Sequence, residues 1–230
     1  TLYIMVQKKV LKNVDTIKMD GKINIKSVEL DSLFAVAIQD TLIDNEELMQ
    51  TVEDETYRLM KAYPDGQQVS NDGGYQTPRD IWWDGRSKVY QDLGESILPL
   101  VKDYYYKTTR NDRTQEMKLQ SVWGNVANRG SFNMVHVHPS SQVSAILYVK
   151  GGQKQGDVRF HNPLGLTSKM LELSCGDSEE FTDYNVDRWY VSPMRGRLII
   201  FPSYIPHDVL MNKTDEDRIS IAMNFNIPLH

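Results

Sequence analysis

The chain has 230 residues, 40% hydrophobic and 25% charged, the proportions of a soluble globular protein with enough length for one full core. A net charge of −5 with no basic block gives nucleic-acid binding no support, and the longest apolar runs, 143–149 and 198–201, are strand-sized and far too short to span a bilayer. A single cysteine, Cys175, excludes an internal disulfide and fits a reducing cytoplasm, while Gln7, Lys8, Lys9 and Asp15 interrupt the opening apolar residues too early for a signal peptide.

In chain order, the first elements expected are short strands at 2–6 and 22–26, with a turn at Asp20-Gly21, and a further apolar strand at 33–39. Asn45, preceded by Asp44 and followed by Glu46 and Glu47, makes a good helix start: a capping side chain with acids in the first turn. Leu48, Val52, Leu59 and Met60 carry that helix on until Pro64 and Gly66 stop it. Asn71, Asp72, Gly73 and Gly74 read as a loop. A second helix is expected from about Ser87, with Val89, Leu93, Ile97 and Val101 in an i+4 row, and Pro99 should kink or split it. Tyr104, Tyr105 and Tyr106 at its end read as core packing.

From Met117 the hydrophobic period changes from about four to two. Strands are expected at 117–126, 133–138, 143–150, 157–161, 169–173, 188–192, 196–201, 207–211 and 217–226. Many short strands separated by turn signals suggest a sandwich or barrel. The layout is α+β in one domain, with residues 1–116 supplying helical support and edge strands and residues 117–230 forming a jelly-roll core.

The chemistry concentrates in that core. His136 and His138 are flanked by Val135 and Val137 in the pattern of a half-buried strand, which turns both imidazoles to one face. His207 follows further along. Two nitrogen donors on one face and a third from another strand can form a facial site for a first-row transition metal. In 217–226, Ile219, Ile221, Met223 and Phe225 alternate with Arg218, Ser220, Ala222 and Asn224. The apolar face can pack on the helices, which leaves the polar face to look into a barrel lumen or out to water. An arginine there, with a serine two residues on, suits an anionic ligand.

Four features in order carry a resemblance: His136-x-His138-Pro139; the run from Val143 through Tyr148 to Val149; the run from Gly196 to Ser203 leading to His207; and Arg218-x-Ser220. Together they resemble the double-stranded β-helix of iron(II)- and 2-oxoglutarate-dependent oxygenases, and more closely a phage and bacterial subgroup with a His-x-His-Pro motif. The resemblance implies His136, His138 and His207 as iron ligands. It implies Arg218, Ser220 and Tyr148 as the residues that hold the far carboxylate of 2-oxoglutarate. Dioxygen and a small-molecule or peptide substrate would complete the reaction, expected to be hydroxylation of an unactivated C–H bond with release of succinate and CO2. One departure is His138, where the family pattern has a carboxylate; Asp157 is the nearest substitute acid.

Two other readings stand beside it. A cupin-type metalloprotein would share the three histidines, but Gln142 occupies the place of its glutamate and Arg218-x-Ser220 would have no use. A non-catalytic jelly-roll binding module would leave the histidines unexplained. Trp123, Asn125 and Asn133 read as pocket lining or as core and turn residues, His161 and His230 as solvent-facing, and Cys175 as inert. The substrate is not legible, the segments 71–84 and after Gly165 being the ones expected to shape its site. Oligomeric state stays open, a homodimer included.

Overall fold

The computed structural model describes residues 35–83, 85–164 and 186–228. The strands expected at 2–6, 22–26 and 169–173 lie outside the described residues, as do Cys175 and His230. The described residues form two antiparallel sheets and two helices. The larger sheet runs β1 (Gln39–Leu42), β9 (Arg197–Pro202), β6 (Val143–Lys150), β11 (Arg218–Asn226), β4 (Lys118–Ala127), β3 (Tyr75–Gln76). The smaller runs β2 (Asn71–Asp72), β5 (Phe132–His136), β10 (His207–Val209), β7 (Val158–His161), β8 (Arg188–Val191). This is the expected α+β jelly roll.

Helix α1 (Glu46–Ala62) starts at Asn45, whose side chain accepts from the backbone N–H of Leu48 at 2.9 Å, as the sequence predicted. Helix α2 (Lys88–Thr109) starts at Ser87 in the same way, capping Tyr90 at 3.3 Å. Pro99 lies inside α2 without splitting it. The helix runs on because Leu93, Ile97, Val101 and Tyr104 stay buried on both sides of the proline, and that packing outweighs one lost intrahelical bond. The strand expected at 33–39 forms later, at Gln39–Leu42, where it pairs with the edge of β9.

The helices cover the outer face of the larger sheet. Ile219, Ile221, Met223 and Phe225 of β11 join Val52, Leu59, Tyr90 and Leu93 in that core, so the alternation read in the sequence is the division of labour in the fold. Gly124 in β4 lets α2 come close, since a Cβ there would collide with the Tyr90 hydroxyl, which itself bonds Thr56 Oγ1 at 2.8 Å. A second core cluster, built on Ile146, Tyr148, Phe160, Ile199, Phe201 and Ile205, fills the space between the sheets. The polar face of β11 looks into the same space.

Candidate active site

His207 on β10 is in register with His136 on β5, and His207 pairs on its other side with Phe160 of β7. His138 lies just past the end of β5, where its backbone N–H bonds the Ser203 carbonyl at 3.0 Å. The nearest ring nitrogens of the three histidines all lie within 4.8 Å of one another. Among the described residues this is the one group of three metal-ligating side chains so placed. Asp157 is not part of it.

The tautomers follow from the partners. His136 Nδ1 faces the Met134 carbonyl at 2.7 Å and His207 Nδ1 faces the Ile205 carbonyl at 2.9 Å; a carbonyl only accepts, so both Nδ1 atoms carry the proton. His138 Nδ1 donates to Asn224 Oδ1 at 2.7 Å. All three Nε2 atoms are therefore bare lone pairs. Those of His138 and His207 stand 3.3 Å apart with no proton between them. Burial, and then the neighbouring His136, push the His138 ring down to about 4 and the His207 ring down to about 3; burial also lowers His136. Three neutral donors thus converge where a proton does not settle, and a cation is the partner that such an arrangement fits.

Asn224 was read in the sequence only as one of the polar-face residues of β11. Its Oδ1 accepts from both His138 Nδ1 and Ser144 Oγ, the latter at 2.9 Å, and Ser144 in turn contacts Ser203 Oγ at 2.8 Å. The amide thereby fixes both the tautomer and the ring plane of His138. Replacing Asn224 by Ala should weaken metal binding by about 10–100-fold, the usual cost of an outer-shell partner. A chelator-competition titration checks this, and wild-type affinity would remove Asn224 from that role.

Beside the histidines, the larger sheet presents a cross-strand polar row to the lumen. Gln76 pairs with Asn125, Asn125 with Ser220, and Ser220 with Tyr148. These four residues and the three histidines line one cavity, part of it open to solvent, together with Ser70, Arg79, Trp123, Asn133, Ile146, Val209 and Ala222. Three buried atoms in the row, Gln76 Nε2, Asn125 Oδ1 and the Tyr148 hydroxyl, have no hydrogen-bond partner. Burial raises Tyr148 to about 12, against the pull of Arg218, so its phenol keeps its proton. Trp123, Asn125 and Asn133 are thus cavity residues. Gln76 and Arg79 fall in the segment 71–84 expected to shape the substrate site, but nothing local singled out these two residues within it.

Arg218 is 2% exposed and does not itself reach the cavity wall. Its Nη1 donates to the carbonyls of Gln155, Gly156 and Leu210 at 2.7, 3.0 and 3.3 Å. Gly156 holds φ +92° there, and a Cβ on it would strike both Arg218 Nη1 and the Leu210 carbonyl. The nearby acids are engaged elsewhere: Asp215 with Arg129 at 2.9 Å, Asp217 with Tyr57 at 2.9 Å, Glu216 with Lys150 at 4.0 Å. Among the described residues the buried guanidinium makes no ion pair, although the charge of Asp157 acts on it and favours its protonated form. His161, expected in solvent, instead bonds Asp208 at 3.1 Å beside the Arg159–Asp208 ion pair, since it shares an outer face with both.

The buried neutral histidines have a consequence for the metal-free protein. Their pKa values lie below the ordinary 6.5, so the unfolded chain takes up protons first as pH falls. The stability they contribute is full above pH 6.5 and drains as pH falls toward about 4 for His138 and about 3 for His207. The slope is at most about 1.4 kcal/mol per pH unit for each ring. Denaturant titrations across that range should show the decline, and His138→Phe should flatten part of it.

Residues 121–224 match the family model described as "Putative 2OG-Fe(II) oxygenase". No curated protein matches the sequence. Among solved structures, the fold is similar to a Pseudomonas putida prolyl-4-hydroxylase, with TM-score 0.57, 15% identity, 84% of this chain and 94% of that one covered. It is also similar to HygX from Streptomyces hygroscopicus with nickel and 2-oxoglutarate bound, with TM-score 0.56, 13% identity and 84% and 83% covered. A third is SnoN, a non-heme alpha ketoglutarate dependent epimerase from nogalamycin biosynthesis, with TM-score 0.59, 14% identity and 84% and 79% covered. The family model, over 121–224, describes the same kind of oxygenase as the resemblance read from four sequence motifs, and the solved structures share the fold. No described helix is long and apolar enough to cross a membrane.

Proposed function

We propose, from the premise that the core strands match the 2OG-Fe(II) oxygenase family, that this chain hydroxylates an unactivated C–H bond. In this reading residues 1–230 are one domain in which 117–230 hold the site and 1–116 support it. His136, His138 and His207 would hold iron(II) through their Nε2 atoms. Iron(II) bound together with 2-oxoglutarate and dioxygen supplies the oxidant, with succinate and CO2 as co-products. The observation that carries the proposal is three bare, neutral Nε2 donors beside a polar row in which the Tyr148 hydroxyl lacks a partner, backed by a buried arginine that makes no ion pair among the described residues.

Each residue's part follows from its chemistry. Three neutral imidazoles would leave iron(II) its full double charge, of which the chelating carboxylate of 2-oxoglutarate would offset one unit where a His-x-Asp site would offset two, the far carboxylate facing Arg218 instead. The Tyr148 phenol donates to an oxygen of the far carboxylate, and Ser220 adds a second donor from the next strand. Arg218 supplies positive charge from behind them; its attraction is already felt at Tyr148. Phe201 and Phe160, with ring centroids 4.9 and 5.8 Å from His207, keep water from the inner side of the metal ligands.

The cupin reading fits less well. Gln142, at the place of the cupin glutamate, is a structural residue whose Oε1 accepts from the Ile227 N–H at 2.9 Å, and a cupin gives the buried Arg218 no ligand. Anaerobic addition of iron(II) and 2-oxoglutarate tests the proposal directly. A visible charge-transfer band, and succinate release once air is admitted, are expected. Iron binding with no band and no 2-oxoglutarate binding would turn the assignment to a cupin-type metalloprotein.

A further inference from the structure

Arg79 lies exposed in the segment between β3 and α2 and is one of the residues lining the cavity. Its guanidinium lies 4.9 Å from the centroid of the Trp123 ring, and Trp123 stacks on His138 with centroids 5.6 Å apart at 26°. Its charge is felt at both His136 and His138. Among the described residues no acid pairs with it: Asp80, its neighbour in sequence, is paired with Arg86 at 3.0 Å. An unbalanced positive charge beside three neutral donors works against the cation those donors suit. That conflict disappears when an anion lies between them.

A second observation points to the same ligand. Gln76, on β3 just before this segment, is 2% exposed and lines the cavity, and its Nε2 has no partner. A buried amide N–H left without an acceptor is costly, and filling it from the cavity side removes that cost. A forked guanidinium and an amide N–H are both donors, which is what the two oxygens of a carboxylate require. Nearby, Asn125 Oδ1 is a buried acceptor lacking a donor. It suits an ammonium, amide or hydroxyl hydrogen on the same molecule.

Resting on the oxygenase reading of the site, we infer that the primary substrate is a small carboxylic acid bearing a hydrogen-bond donor, its carboxylate held by Arg79 and Gln76. Arg79 and Gln76 are then specificity-determining residues, distinct from Tyr148, Ser220 and Arg218 on the co-substrate side of the row.

The test uses the full chain loaded anaerobically with iron(II) and 2-oxoglutarate, the charge-transfer band serving as the separate measure of that loading. The loaded protein is incubated with an equimolar mixture of amino and hydroxy acids and their primary amides, and retained ligands are read by native mass spectrometry. Acids should be retained over the matching amides. Arg79→Met should lose about tenfold or more of that retention, Gln76→Leu should lose less, and Arg79→Lys should recover part of it, while the band stays as in wild type. Acids and amides retained alike, neither retained, or unchanged retention in Arg79→Met would each overturn the inference. So would a weakened band in Arg79→Met, which would place Arg79 on the co-substrate. A wild-type protein that forms no band at all would instead sink the oxygenase reading beneath it.

Discussion

Replacing His207 by Ala, or His136 by Ala, leaves a folded protein that no longer retains iron. Each variant removes one of three protein donors whose Nε2 atoms lie within 4.8 Å of one another. The loss should exceed the roughly 10–100-fold that removal of an outer-shell partner costs. Folding should survive, because the two residues are joined through the backbone pairing of β5, β10 and β7, which side-chain truncation leaves in place. Metal content after anaerobic reconstitution, with circular dichroism as the folding control, decides the matter; wild-type occupancy in either variant would dismiss the assignment. His138→Ala should behave in the same way. If it keeps iron while Asp157→Ala loses it, the third ligand is the carboxylate.

The second large effect is expected at Arg218. Arg218→Met keeps the length of the side chain and removes its charge, and 2-oxoglutarate binding should weaken by about tenfold, the effect of a charge acting from behind the cavity wall rather than of a direct pair. Iron binding should hardly change, since Arg218 is not among the three convergent donors. The carbonyls of Gln155, Gly156 and Leu210 also lose a donor, so a lowered melting temperature is expected as well. Arg218→Lys separates the two effects: it restores charge for the co-substrate but cannot reproduce the guanidinium's geometry toward those carbonyls. Tyr148→Phe and Ser220→Ala should each cost about 1 kcal/mol, one hydrogen bond apiece. Titration of 2-oxoglutarate into iron-loaded protein reads all four variants, and unchanged affinity in Arg218→Met would refute the role.

The strand core was legible because its signals are local. Period-two alternation in 217–226 named both faces of β11, and the capping signal at Asp44-Asn45 and the i+4 row after Ser87 placed where two helices begin. The three histidines were legible because two of them share a strand pattern and the third follows a separate apolar run. What escaped was contact between distant segments. Asn224 could be placed on the right face of its strand, yet its bond to His138, 86 residues away, is a matter of tertiary register. Gln76 and Arg79 lie within 71–84, which was expected to shape the site, yet that stretch has no periodicity to show which of its residues border the cavity. Pro99 does not split its helix because packing along a whole helix face outweighs the propensity of one residue.

Strand β11 allows almost no freedom to the residues along it. Ile219, Ile221, Met223 and Phe225 are needed by the helices, while Ser220 lines the cavity, Asn224 holds His138 and Arg218 lies buried behind them. Pairing with β4 and with β6 on its two sides, each ladder carrying one irregularity, fixes which residue meets which. A slip of one position would trade the two sets and abolish core and chemistry at once. A protein built this way can be retuned toward a new substrate from its turns, such as the one carrying Arg79, but hardly from the strand that anchors its reaction centre.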